Sequence, residues 1–234
     1  MEKIYTIPVN EAFEASAADK ACGCAFCALY NKLEFNEIDS ILGDAMMQPN
    51  IRIETNKKGF CKDHFDIMLG YKNRLSLALM LESMLGENHK AAFPKGLSSL
   101  VSSSEKKFTD MTKTCYVCEK IEFHFSHMLD TAVLLYTEDT EFRKKFAAQP
   151  YFCLPHYTRL MEYAKARMPK KLFPEFEKAA RTIEENYYTE LNDDVSWFCK
   201  KFDYRYENEP WYNAKDSVER AVKFLRSDLH TMKK

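Results

Sequence analysis

Glycine and proline are scarce in this chain, with 6 and 8 residues respectively among 234. An all-β fold with many tight turns needs more of both, because these residues supply the backbone conformations of turns. Long apolar runs are also missing, and the longest apolar stretch, residues 75–85, is interrupted by two serines and a glutamate. Such a segment is too short and too polar to span a bilayer.

An excess of charge of either sign is absent as well. The chain has 34 lysines and arginines against 35 aspartates and glutamates, a formal net charge of -1. This balance provides no overall attraction to nucleic acid or to an anionic membrane. The expected partner is therefore an unknown protein or small molecule, with nucleic acid and membranes disfavoured and the oligomeric state left open.

Several catalytic signatures are also lacking. The sequence contains no Gly-x-x-x-x-Gly-Lys or Gly-x-Gly-x-x-Gly loop, no Gly-x-Ser-x-Gly elbow and no His-Glu-x-x-His helix. No catalytic residue is predicted. The N-terminus has no apolar stretch like that of a signal peptide, so a cytoplasmic location is expected. In that compartment the eight cysteines are expected to be metal ligands or reactive thiols rather than disulfides.

Six of the cysteines and two histidines form four paired motifs that appear as the same half-pattern written twice. The motifs are Cys24-x-x-Cys27, Cys61-x-x-His64, Cys115-x-x-Cys118 and Cys153-x-x-His156. From the first half to the second, the four positions shift by 91, 91, 92 and 92 residues. This regular shift indicates an internal duplication.

Three sulfurs and one imidazole make a complete tetrahedral ligand set for zinc. We therefore predict two zinc ions per chain, one in each half. The predicted ligand sets are Cys24, Cys27, Cys61 and His64, and Cys115, Cys118, Cys153 and His156. Four protein ligands leave no place for a reacting water, so both sites are predicted to be structural.

Other interpretations explain less of the pattern. Buried free cysteines do not account for the matched shift, iron–sulfur clusters usually take four cysteines, and a thioredoxin-like dithiol requires a strand before its helix. Cys22 is interpreted as a spare cysteine, and the alternatives are a replacement metal ligand or a resolving thiol for an oxidised zinc thiolate. Cys199 is interpreted as spare. His124 and His127 are interpreted as a surface or packing pair, and the isolated His89 and His230 carry no signal.

Apolar residues at helical spacing predict an all-α fold. We expect two tandem helical hairpins, each clamped by its own metal and packed as one body with a long helix and a C-terminal amphipathic helix. The segments are 1–113 (lead-in, first repeat and connecting helix), 114–170 (second repeat) and 171–234 (C-terminal extension). The helices are predicted from Cys27 to Leu42, Asp63 to Gly86, Leu97 to Thr112, Ile121 to Tyr136, His156 to Arg167 and Phe173 to Phe202, followed by a stripe of Val218, Ala221, Val222, Leu225 and Leu229.

The quoted motifs, together with Phe202-Asp-Tyr-Arg205 and Glu209-Pro210, resemble an uncharacterised bacterial family common in Clostridia-like organisms and classified as a domain of unknown function. The resemblance covers nearly the whole chain, and one departure is Ala25, where a proline is expected. It implies the metal sites and the helical fold, and it implies no activity.

Three functions are consistent with these features. The first is a zinc-binding protein without catalytic activity that serves as a binding or adaptor module. The second is a thiol-based redox or metal sensor that uses the zinc thiolates and Cys22. The third is an enzyme with a pocket in the aromatic segment 203–212.

Overall fold

The computed structural model describes residues 3–93 and 112–231. Within these ranges the chain forms helices and no strand, which confirms the predicted all-α class. The α-helices are α1 (Thr6–Ala18), α2 (Ala25–Leu42), α3 (Pro49–Lys58), α4 (Lys62–Gly70), α5 (Arg74–Ala92), α6 (Tyr116–Glu138), α7 (Thr140–Ala147), α8 (Leu154–Arg167), α9 (Phe173–Lys200) and α10 (Ser217–Arg226). The connecting helix predicted from Leu97 to Thr112 lies, apart from Thr112, outside the described residues.

The helices of the first half differ from the prediction in two places. Residues 49–58, which lie between the first two predicted helices, form α3, because Pro49 occupies the first turn, where its missing N–H is harmless. The predicted helix over 63–86 divides into α4 and α5. Asn73 caps α5 by accepting a hydrogen bond from the Ser76 N–H at 3.3 Å, and its amide donates to the Leu42 carbonyl at 2.8 Å.

Contacts divide the chain into two compact units that do not follow the sequence halves. The first comprises Met1–Tyr30 and Phe125–Leu229, and the second comprises Asn31–His124 and His230–Lys234. Two of the three boundaries fall within α2 and α6, and the third follows Leu229. Neither unit coincides with segments 1–113, 114–170 or 171–234, because each unit combines stretches from both halves.

Aromatic rings fill the core of the first unit. Phe13 of α1 lies 5.4 Å from Phe26 of α2 between ring centroids, and Phe26 lies 5.6 Å from Phe152. Phe146 lies 5.2 Å from Phe152 and 5.2 Å from Phe176. All five side chains are buried. Because Phe26 lies between Cys24 and Cys27 and Phe152 precedes Cys153, this core also positions cysteines.

Aliphatic side chains and methionines dominate the core of the second unit. Ile38 and Ile41 of α2, Met68 of α4 and Met80 of α5 are at most 1% exposed. Burial of these side chains stabilises the unit by roughly 1.5–3 kcal/mol each. The helices α3 and α5 pack against each other within this unit.

The apolar stripe predicted for the last helix does not face the core. Val218, Val222 and Leu225 are 43%, 58% and 49% exposed, whereas Phe224 is 1% exposed. Phe224 packs against the ring of Tyr187 at 5.2 Å, and this contact sets the buried face of α10. Among the described residues, no helix has the length and apolar character needed to cross a membrane.

Candidate metal centres

The four paired motifs come together in two clusters, and each cluster joins a Cys-x-x-Cys pair to the Cys-x-x-His pair of the other half. The first cluster contains Cys24, Cys27, Cys153 and His156, and the second contains Cys61, His64, Cys115 and Cys118. In each, the four candidate ligand atoms lie within 4.8 Å of one another. The predicted pairing within each half is therefore wrong, although all eight predicted residues lie in the clusters.

Each Cys-x-x-His motif contacts the middle of the long helix of its own half. His64 Nε2 lies 3.1 Å from Oε1 of Glu34, which is in the middle of α2. The ring of His156 lies 5.1 Å from that of Phe125, which is in the middle of α6. The Cys-x-x-Cys pairs stand at the starts of these two helices, and each joins the Cys-x-x-His motif of the other half.

A sharp turn before Cys24 shapes the first cluster. Gly23 has φ +67°, a backbone conformation that residues with a side chain rarely adopt. A Cβ at this position would lie 3.0 Å from the hydroxyl of Tyr151. The Gly23 carbonyl accepts a hydrogen bond from Ser16 at 2.5 Å. Glycine at this position therefore lets the chain turn beneath Tyr151 and enter α2 with Cys24 buried.

Backbone hydrogen bonds join the two motifs of the second cluster. Gly59, with φ +66°, ends α3, and its carbonyl accepts a hydrogen bond from the Tyr116 N–H at 3.0 Å. The Thr114 hydroxyl donates to the Lys58 carbonyl at 2.6 Å, and Lys58 forms a 2.7 Å ion pair with Glu119. These bonds hold the turn before Cys61 against the start of α6.

The distances fit a tetrahedral zinc site. Zinc–sulfur bonds of about 2.3 Å and zinc–nitrogen bonds of about 2.05 Å place tetrahedral ligands about 3.8 Å apart for two sulfurs and about 3.6 Å apart for sulfur and nitrogen. The Sγ–Sγ distances are 3.6 Å for Cys27–Cys153 and 3.8 Å for Cys61–Cys118. The distances from Sγ to histidine Nδ1 run from 3.1 to 3.8 Å in the first cluster and from 3.0 to 3.4 Å in the second.

The thiols of each cluster differ in acidity because they share hydrogen bonds. Burial and neighbouring thiols raise the pKa of Cys24, while hydrogen bonds from Cys24 and Cys27 lower the pKa of Cys153. In the second cluster burial acts to raise the pKa of Cys115, but hydrogen bonds from His64 and the Cys118 N–H outweigh it and bring that pKa to about 6. Cysteine binds a metal as the thiolate, so a divalent cation bound here would displace the protons that the thiols share.

The two clusters differ in exposure. Cys24, Cys27 and Cys153 are all buried, whereas Cys61 and Cys118 are partly exposed. Reagents in solution therefore have a more direct route to sulfur in the second cluster. Cys22 and Cys199 are exposed and belong to neither cluster.

The sequence interpretation missed a second layer of contacts. The Ser227 hydroxyl lies 3.0 Å from Cys153 Sγ, and the Asp228 N–H donates to Cys27 Sγ at 3.4 Å. At the second cluster, Glu34 Oε1 lies 3.1 Å from His64 Nε2 and 2.5 Å from His230 Nδ1. His230, which carries no signal in the sequence, therefore belongs to this second layer. The motif spacing does not predict these contacts, because Ser227, Glu34 and His230 lie outside the duplicated motifs.

His124 and His127, which the sequence analysis places in neither metal site, lie near the middle of α6. The ring of His127 lies 5.5 Å from that of Tyr5, and His124 lines a surface recess with Glu37 and Lys120. Neither histidine belongs to a cluster of potential metal ligands in the described ranges. These positions agree with their interpretation as packing or surface residues.

The aromatic segment 203–212 is folded back on the end of α9. The Lys201 ammonium donates to the carbonyls of Tyr206, Glu207 and Glu209, and the Trp197 indole donates to the Pro210 carbonyl at 3.0 Å. A surface recess of about 340 Å³ lies beside it. The recess is lined by Asp193, Asp194, Ser196, Trp197, Lys200 and Tyr212. An active site there stays a prediction.

Comparison with known proteins places the chain in a family. No curated protein and no solved structure matches it. A family of unknown function, DUF6062, matches residues 1–232, which include both clusters and their second layer of contacts. The chain therefore belongs to the DUF6062 family.

Proposed function

We propose that this protein is a cytoplasmic zinc-binding protein with two structural Cys3His sites, and that it acts by binding a partner rather than by catalysis. The completeness of the two ligand sets carries the proposal. Each cluster supplies four ligand atoms from four side chains, three sulfurs and one imidazole nitrogen. A tetrahedral zinc ion with such ligands has no open position at which to activate water or polarise a substrate.

The connections that the metals would make are long in sequence, which suits a structural role. Cys27 and Cys153 are separated by 126 residues, and Cys61 and Cys118 by 57. Closing loops of this length costs conformational entropy that grows with the logarithm of loop length. Structural zinc supplies about 10–16 kcal/mol in small zinc-binding peptides, which is ample to offset that cost.

The experiment that tests the proposal combines metal analysis with paired substitutions. The native protein is expected to contain two zinc ions per chain. Cys27→Ser and Cys153→Ser should each remove the same ion, so the double variant should retain one zinc. Cys27→Ser combined with Cys61→Ser should lose both ions, because the two cysteines belong to different clusters.

Other outcomes have clear meanings. Iron with visible absorbance in the native protein would contradict the zinc assignment. Substoichiometric metal that dissociates on dilution would contradict a structural role. If the double variant Cys27→Ser with Cys61→Ser kept one zinc, each half would bind its own ion and the observed pairing would be refuted.

Partial exposure of the second cluster favours redox sensing as a second candidate function. Cys61 and Cys118 are partly exposed, and their Sγ atoms lie 3.8 Å apart. Hydrogen peroxide would accept two electrons from these two thiolates and two protons from solvent. Its O–O bond breaks to give two water molecules, one S–S bond forms between the cysteines, and the zinc ion is released. The buried first cluster would keep its metal.

Mild peroxide treatment tests this second candidate. We expect release of one zinc per chain and a disulfide between Cys61 and Cys118, identified by peptide mass spectrometry. The Cys22→Ser variant is the matched control, since Cys22 is exposed but lies outside both clusters. Retention of both zinc ions would exclude redox sensing, and a disulfide to Cys22 would assign the resolving thiol to that residue instead.

A further inference from the structure

We infer that Glu34 and His230 form a relay that positions the metal ligand His64, so that the C-terminal residues His230 and Thr231 control how firmly the second cluster holds its metal. The inference rests on the proposed zinc-binding function. It assigns positioning roles to two side chains outside the duplicated motifs, one in α2 and one beyond the end of α10.

The contacts of Glu34 carry the first step. Its side chain is 2% exposed, and the same oxygen, Oε1, lies 3.1 Å from His64 Nε2 and 2.5 Å from His230 Nδ1. The Nδ1 atom of His64 faces the three sulfurs. A histidine that ligates metal through Nδ1 carries its remaining proton on Nε2 and donates it to a second-layer acceptor. Glu34 is that acceptor.

His230 is itself held in place by the start of the second unit. The backbone N–H of His230 donates to Asn31 Oδ1 at 2.9 Å, and the Asn31 side-chain amide donates to the Thr231 hydroxyl at 2.9 Å. His230 has φ +62°, a left-handed conformation that is unfavourable for residues other than glycine. The bonds to Asn31 and Glu34 offset this strain, which indicates that His230 and Thr231 are fixed at this position by specific contacts.

The duplication supplies an internal comparison. The shift of 91 residues that relates Cys24 to Cys115 relates Glu34 to Phe125. In the first cluster the ring of His156 lies 5.1 Å from that of Phe125, so an aromatic contact occupies the position of the carboxylate. The carboxylate and its contact with His230 are thus particular to the second cluster.

Two nearby C-terminal residues contact the first cluster instead. Ser227 and Asp228 approach Cys153 and Cys27, as described above, and Ser227 has φ +75°. These contacts involve sulfur rather than imidazole. Substitutions at Glu34 and His230 should therefore affect the second cluster and leave the first unchanged, which makes the two clusters each other's control.

The test measures metal release at each cluster separately in full-length, zinc-loaded protein. Zinc-bound thiolates resist alkylation, so treatment with chelator and N-ethylmaleimide followed by peptide mass spectrometry reports the three cysteines of each cluster. In Glu34→Ala we expect alkylation of Cys61, Cys115 and Cys118 to be about 10- to 100-fold faster than in the natural protein, the range typical for loss of a second-layer partner. Alkylation at the first cluster should be unchanged.

Conservative and control variants separate positioning from general loosening. Glu34→Gln retains an acceptor for His64 and should recover part of the lost protection, whereas His230→Ala should give a smaller acceleration than Glu34→Ala. Glu37→Ala is the matched control. Glu37 is a half-buried carboxylate on the same helix that faces Lys120 and belongs to no cluster.

The possible outcomes distinguish this inference from the proposal on which it rests. Absence of protection in the zinc-loaded natural protein would refute zinc binding itself. Protection in the natural protein with no acceleration in Glu34→Ala, or with equal acceleration at both clusters, would refute the relay. Should Glu34→Ala fail to fold, His230→Ala decides the question, because the His230 side chain is 37% exposed and its removal leaves the core intact.

Discussion

Glu184 is expected to make the stability of this protein fall as the pH rises. Its carboxylate is 8% exposed in α9, and Oε1 accepts a hydrogen bond from the Phe152 N–H at 2.8 Å. Oε2 has no hydrogen-bond partner in the described part of the chain. Burial raises the pKa of Glu184 to about 8, with a smaller contribution from Cys153, and the Phe152 N–H only partly opposes it.

The magnitude follows from the two pKa values. Between the unperturbed pKa of 4.5 and the folded value of about 8, the unfolded chain loses a proton that the folded protein keeps. The unfolded state therefore binds fewer protons, and the free energy of unfolding falls with rising pH. At 1.36 kcal/mol per unit, the loss is roughly 2 kcal/mol at pH 6 and roughly 4 kcal/mol at pH 8.

The Glu184→Gln variant tests this reasoning. Glutamine keeps the acceptor for Phe152 and cannot ionise, so its stability relative to the natural protein should improve by about 2 kcal/mol between pH 6 and pH 8. Urea unfolding of zinc-saturated protein, followed by circular dichroism at both pH values, measures the difference. Any free-energy cost of burying the glutamine amide is the same at both pH values, so it cancels when the stability differences at pH 6 and pH 8 are compared.

A matched control lies on the same helix. Glu185 is exposed and forms a surface ion pair with Arg181 at 2.7 Å. Glu185→Gln should change stability by less than about 0.5 kcal/mol with no trend in pH. An equal stability difference for Glu184→Gln at pH 6 and pH 8 would refute the assignment of a buried, protonated carboxyl group.

Three further predictions concern packing, charge and backbone strain, each measured as a change in the free energy of unfolding. Phe146→Ala should cost about 3–5 kcal/mol, because this fully buried ring anchors the aromatic core; a cost below 1 kcal/mol would contradict that role. Arg220→Met should cost about 2 kcal/mol, since it removes the guanidinium that lies 2.8 Å from Asp194, a carboxylate 16% exposed that keeps the neutral Asn213 amide as a donor at 3.2 Å; an unchanged stability would show that water replaces the arginine. Ser227→Gly should be more stable than Ser227→Ala by about 1 kcal/mol, because only glycine adopts φ +75° without strain; the reverse order would show that residue 227 is not held in that conformation.

Local sequence patterns were sufficient for the fold class and for most helices. The apolar stripe from Ile121 to Tyr136 predicts α6, and the long apolar face after Phe173 predicts α9, because helical periodicity is a local property of the chain. Local patterns gave wrong predictions where a single residue determines a helix boundary or the buried face of a helix. Asn73 divides a predicted helix by capping the second part, and Phe224 rather than the valines sets the buried face of α10.

The sequence by itself determined which eight side chains gather in clusters, because ligand chemistry and the repeated spacing identify cysteine and histidine pairs without reference to distant contacts. Only the tertiary structure decided which pairs meet. Each Cys-x-x-His motif contacts the middle of its own half's long helix, at Glu34 of α2 and Phe125 of α6, and joins the Cys-x-x-Cys pair of the other half. The contacts of Glu34 and His230 depend on that exchange, since they link residues 196 positions apart.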